Sequence, residues 1–175
     1  MRFLPYRLLL LIGFLTTLLV NTTFAEESKN GFTVVDHSGQ YADIIGTNGK
    51  PLLRYVYVRD TSTNERNFDT AKVFAHVMAP DGENTLTNGP GGKSFPHHRG
   101  IFIGWNKTNH NGKSHDLWHV RDTVQKHISM QSGAESASTD GVSTGSAHIT
   151  ARIDWVGKDG ETLIEETRTH RVIAS

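Results

Sequence analysis

The stretch Ala147-His148-Ile149-Thr150-Ala151-Arg152-Ile153-Asp154-Trp155 decides the fold class. Ala147, Ile149, Ala151, Ile153 and Trp155 alternate with His148, Thr150, Arg152 and Asp154, a period of two that marks a strand with one buried and one wet face. Asp159-Gly160 turns the chain, and Leu163 to Ile173 supplies the partner of a hairpin. Just upstream, Val124 to Gln131 reads as extended. Residues 132–145 are rich in Ser, Gly, Thr and Ala, so they are expected to form an exposed connection that packs no core.

The same texture extends toward the N-terminus. Phe32 to Asp36 reads as a strand, turned at His37-Ser38-Gly39. Gln40 to Gly46 and Pro51 to Arg59 flank Asn48-Gly49, a strong hairpin signal. Residues 60–71 read as a polar connection. Lys72 to Pro80 follows as a strand, with Val73, Ala75 and Val77 on one face and Phe74, His76 and Met78 on the other. A long glycine-bearing loop, Asp81 to Lys93, then leads to a strand over Gly100 to Asn106 and a polar loop over Lys107 to Ser114. With no convincing amphipathic helix and no internal repeat, the class is all-β, an antiparallel β-sandwich.

Residues 1–25 read as a secretory signal: Arg2 and Arg7 ahead of an apolar run from Leu8 to Val20, then Thr23-Phe24-Ala25 as a cleavage site. That run is too short for a comfortable membrane span. The expectation is a periplasmic or secreted domain over residues 26–175, with no stable membrane insertion after cleavage. Without the signal the chain carries 16 basic against 18 acidic residues. Such a balance lacks the clustered cations that nucleic-acid affinity requires. The absence of cysteine excludes disulfides and thiolate chemistry, so core packing alone must hold the fold.

Six of the ten histidines fall between positions 97 and 127. Imidazoles titrate near neutral pH, so the excess points to a site around Pro96-His97-His98-Arg99-Gly100. His97 and His98 are candidate acid–base groups. Arg99 is a candidate anchor for a carboxylate, phosphate or sugar hydroxyls, or else an ion-pair partner at the core edge. Gly100 and Gly104 would leave one strand face bare for a ring. Trp105 would be either a stacking platform for a sugar or part of the core. His115-Asp116-Leu117-Trp118-His119 invites a zincin comparison, but Asp stands in the Glu position and Gly112 argues against a helix. On a strand, His115 and His119 would share a face and could join His97 or His98. The candidate metal ligands are His98, His115 and His119, around zinc, iron or copper. Glu165-Glu166 reads as one solvated acid and one partner for Arg168 or Arg152.

Three blocks bring a family to mind: His76 to Gly82, Pro96 to Trp105, and Asp116-Leu117-Trp118. Their order and spacing resemble the PmoA-like family of exported bacterial proteins. The resemblance covers roughly residues 30 to 173, about the first half of a usual member, and the chain stops inside a predicted strand as though the domain continued. Ser94-Phe95 stands where the family commonly has an acidic residue and a histidine. The resemblance implies a β-sandwich in the style of the aldose epimerase supersandwich, and carbohydrate-related roles. It adds His76, Asp116 and Trp118 to Trp105 as candidate ligand-binding residues. The resulting expectation is a protein that binds or acts on a saccharide or related polar metabolite. The alternatives are a histidine-ligated metalloprotein, oxygenase-like as the family label has it, and a sandwich that binds without catalysis.

Overall fold

The computed structural model describes residues 26–27, 31–91, 94–139 and 142–174. The expected signal, residues 1–25, lies outside them. The protein is all-β, with strands β1 (Glu26–Glu27), β2 (Thr33–His37), β3 (Tyr41–Ile45), β4 (Pro51–Val56), β5 (Phe74–Val77), β6 (Thr108–His110), β7 (Lys113–His115), β8 (Val124–Thr139), β9 (Val142–Val156) and β10 (Thr162–Ala174). Pairing is antiparallel throughout, in a five-stranded sheet of order β1-β2-β3-β4-β5, a three-stranded sheet of order β10-β9-β8, and the small β6–β7 hairpin.

The two larger sheets form the sandwich. The alternating residues of β9, Ala147, Ile149, Ala151, Ile153 and Trp155, are all buried and face Phe32, Val34, Ala42, Ile44, Leu53, Tyr55 and Tyr57 of the first sheet, with Val73, Ala75 and Leu117 completing the core. The hairpin expected at Asn48-Gly49 closes where Gly46 N–H donates to Lys50 O, and the one at Asp159-Gly160 where Gly157 N–H donates to Glu161 O.

Aromatic and ionic groups share this interior. Tyr55 Oη lies 3.2 Å from His127 Nδ1, and the His127 ring stacks on Tyr57 at 4.3 Å. Tyr57 donates to Asp36. Glu166 accepts from the Trp155 indole at 2.7 Å and from Arg168 Nε and Nη2 at 2.7 and 2.8 Å, while Arg168 Nη1 donates to Val73 O across the sandwich. Of the two partners expected for the acid pair, Arg168 is the one Glu166 takes. Glu165 is exposed.

Four expectations are corrected. Residues 60–71 contain a short helix α1 (Asn64–Asp69), which starts because the Thr63 hydroxyl accepts from Arg66 N–H. Residues 132–145 are no free connection: β8 and β9 pair from Val124↔Val156 to Thr139↔Val142. Small polar residues cannot fill a core, yet every one still carries the two ladder groups of its backbone. Lys107 to Ser114 folds into the β6–β7 hairpin. Gly100 to Asn106 is no strand, touching β5 through the single bridge Ala75↔Ile101.

Candidate functional site

The motif Pro96-His97-His98-Arg99-Gly100 is a tight turn, closed by His98 N–H donating to Phe95 O at 3.0 Å. Gly100 sits at φ +47°, and a Cβ there would lie 2.2 Å from Ala75 O. Gly104 is also pressed against backbone, with its Cβ position 2.7 Å from Leu117 O, and the adjoining Leu117 N–H donates to Trp105 O at 2.8 Å. The two glycines therefore face backbone carbonyls, where a bare face for a ring had been expected. They let the 96–105 segment lie between β5 and the 116–120 turn, because only a residue without a side chain permits such an approach.

Two cations hold this arrangement from behind. Lys72, 1% exposed, donates to the carbonyls of His97, at 2.9 Å, and Trp118, and its ammonium lies 3.8 Å from the Phe102 ring centre. Burial, reinforced by Arg99 and opposed by Asp116, pushes its amine down to about 7. Arg99 is wholly enclosed; it donates to Asp69 O at 2.9 Å and Pro96 O at 3.4 Å and covers the Phe68 ring. It is therefore neither a solvent-facing anchor nor one half of a core-edge ion pair: it fastens the end of α1 to the motif. Gln125, also buried, donates to Ile103 O and accepts from Val73 N–H. Sequence reasoning missed Lys72 and Gln125. For Lys72 the only signal was a charged side chain opening an otherwise apolar run, and Gln125 gave none.

Asp116 organises the facing turn. Its Oδ1 accepts from the Trp118 and His119 amides at 3.1 and 2.8 Å, and its Oδ2 lies 2.8 Å from His119 Nδ1. Burial alone would raise this carboxyl, but the His119 amide, the His119 ring and the Trp118 amide hold it below the usual carboxylate range. Val120 follows at φ +51°, a strained conformation for a β-branched residue. The turn brings His119 to 4.5 Å from His97, centre to centre, and His97 to 4.4 Å from His98. Burial first, then the neighbouring His119, His98, Lys72 and Arg99, lowers His97, favouring its neutral form.

Aromatic side chains surround these rings. Phe95 stacks on His98 at 5.0 Å, and Phe102 meets Trp118 at 5.0 Å. Trp118 is the shared wall of two open depressions of about 350 Å³ each. One is lined by Leu86, Asn88, His98, Arg99 and Phe102, the other by Trp105, Asn106 and His119. Trp105 is 54% exposed and leans on Trp155 at 5.3 Å, so it is available as a platform and is not core.

His97, His98, Arg99, Trp105, Asp116, Trp118 and His119 thus gather at one place. His76 stands apart from the depressions: it is buried, with Nδ1 2.9 Å from Thr87 Oγ1, and holds the loop bearing Asn88. His115 belongs to β7, lies against Gly157, and lines a separate depression with Lys113 and Asp159. The segment from His115 to His119 leaves β7 for a turn, so neither the helical zincin pairing nor the shared strand face is formed. Among the described residues no three His, Asp or Glu side chains converge as a metal donor set, and His98, His115 and His119 are not brought together as one. No helix of the described residues is long and apolar enough to cross a membrane.

A family model described as a family of unknown function (DUF6807) matches residues 44–175. No curated protein and no solved structure matches the chain.

Proposed function

Since the chain belongs to DUF6807, a family without an assigned function, we propose from its site that it is an exported protein that binds or acts on a carbohydrate or related polar metabolite. The observation that carries this reading is the Asp116–His119 pair, opening beside His97 and His98 onto two depressions that share Trp118 as a wall. The three blocks behind the PmoA-like resemblance support it, because β5, the 96–105 segment and the 116–118 turn are hydrogen-bonded neighbours.

The chemistry suited to these parts is proton transfer on a sugar hemiacetal. Asp116 holds His119 by Nδ1 and stabilises the imidazolium formed when Nε2 takes a proton. With Nε2 drawing the proton from the anomeric hydroxyl, the ring C–O bond opens as a second group protonates the ring oxygen. His98 is suited to that second role, and reversal from the other face yields the other anomer. Trp118, Phe102 and Trp105 offer flat apolar surfaces to the C–H faces of the sugar.

The test is anomer exchange by NMR on a panel of aldoses and uronates, at pH 7, with the full chain. Acceleration by the unaltered protein, reduced at least 100-fold in His119→Ala with an unchanged melting curve, is expected. No acceleration, but saturable binding lost in Trp105→Ala, would replace catalysis by a binding sandwich; the exposure of Trp105 and Phe95 favours that second reading. No exchange and no binding across the panel would overturn both.

A further inference from the structure

Elsewhere, two sheet cations that are at least partly buried meet carboxylates. Arg168 is held by Glu166, and Arg54 grips Asp43 through two bonds of 2.8 Å. The site breaks this habit. Lys72 and Arg99, the two most deeply enclosed cations described, reach only main-chain carbonyls. Arg99 Nη2 has no acceptor among the described residues. Asp116 and Asp69 act on them only through space, and Asp116 is already engaged by His119.

Among the described residues, neither depression has a carboxylate in its walls. Arg99, itself out of contact with solvent, is among the residues around the first depression, with Asn88, His98 and Phe102, and the Lys72 ammonium packs on the Phe102 ring. Positive charge set in a poorly polarisable wall is screened little from behind, so its field is focused into the open space in front of it. The chain as a whole is electrically balanced, so this excess is local.

We propose that the depression between Asn88, His98, Phe102 and Trp118 takes the carboxylate of an acidic sugar, a hexuronate, whose ring lies against Trp118. The inference rests on the carbohydrate reading and names its substrate class. The carboxylate supplies the counter-charge that the fold withholds from Lys72 and Arg99. The aromatic walls supply contact that a small anion cannot use.

The experiment is a calorimetric and tryptophan-fluorescence titration of the unaltered full chain with D-glucuronate, D-galacturonate, D-glucose, D-galactose and acetate. A uronate is expected to bind at least tenfold tighter than its neutral counterpart and than acetate, and to weaken as salt rises. Equal or tighter binding of the neutral sugars would overturn the acidic-sugar inference while leaving the carbohydrate reading in place. Acetate as tight as the uronates would reduce the site to a simple anion site and overturn it too, and no binding of any sugar would remove both. Arg99→Met is expected to erase the uronate preference, and Arg99→Lys, which keeps the charge, to retain most of it. Loss of preference in both, with an intact melting curve, would mean that charge is not what selects. Should Arg99→Met fail to fold, the ligand comparison on the unaltered chain still decides.

Discussion

The sandwich and the segment from Phe95 to Thr123 are built on different principles within one chain. In the sandwich, identity matters less than alternation. Any apolar residue of suitable volume at Ile149 or Ile153 would satisfy the inner face of β9, and the ladder fixes the rest. In the site segment the β6–β7 hairpin is the one named ladder, and the motif and the 116–120 turn have isolated bridges only. Position depends on single polar groups, such as the Lys72 ammonium donating to two carbonyls, the Asp116 carboxylate accepting from two amides and Leu117 N–H donating to Trp105 O, and on two glycines pressed against backbone. One region tolerates substitution because its restraints are many and interchangeable. The other depends on restraints that each occur once.

That contrast can be broken most directly from the sandwich side. Trp155→Ala empties the largest fully buried side chain and leaves Glu166 without the indole donor. A loss of about 3–5 kcal/mol is expected, read as a lower urea midpoint, with core and site signals disappearing together. A loss under about 1 kcal/mol would show that the sandwich is not what carries the stability.

Gly100→Ala addresses the other region. The methyl group must occupy a left-handed backbone position and meet the Ala75 carbonyl, so a cost of about 1–3 kcal/mol is expected. It should fall on the site: the Trp118 environment changes and sugar binding is lost, while β9 amides keep their hydrogen-exchange protection. Equal loss of protection in both regions would mean that they form one cooperative unit.

A further effect, of no greater size, distinguishes the sandwich by pH. Burial lowers His170 to about 4, with Arg168 adding and Glu166 opposing, and burial lowers His127 as well. Both rings therefore hold fewer protons folded than unfolded. Their contribution to stability is complete above about 6.5 and falls away as pH drops toward 4. The urea midpoint should decline over that window by the equivalent of about 1–3 kcal/mol, and His170→Leu should flatten the decline. An unchanged slope in that variant would place the acid sensitivity elsewhere.

Most of the fold was legible in the residues. The inner face of β9, its hairpin to β10 and the β3–β4 hairpin follow from period-two alternation and from Asn48-Gly49 and Asp159-Gly160. The far ends of β8 and β9 were not legible, because Ser, Gly and Thr carry no burial pattern although their backbones pair as well as any. The site's location was legible from clustered histidines, and its construction was not. Gly100-Ile101-Phe102-Ile103-Gly104 looks like a strand by composition, yet its glycines serve contacts with Ala75 and Leu117 that lie far off in sequence. Lys72 looked like a strand residue at a boundary. Its role depends on where two distant carbonyls come to rest, which no local pattern records.

The Lys72 clip also has a temporal meaning. Its amine closes one loop of 25 residues to His97 and another of 46 to Trp118, and Arg168 reaches Val73 across 95 residues. Closures of such span form late, after local hairpins have condensed, because each first costs chain entropy that later contacts must offset. During refolding the β3–β4 and β9–β10 hairpins would acquire protection early, and the depressions beside Trp118 would exist only in the last milliseconds to seconds. A ligand for this site is therefore a reporter of completed folding: it has nothing to hold until β5, the motif turn and the 116–120 turn have all arrived.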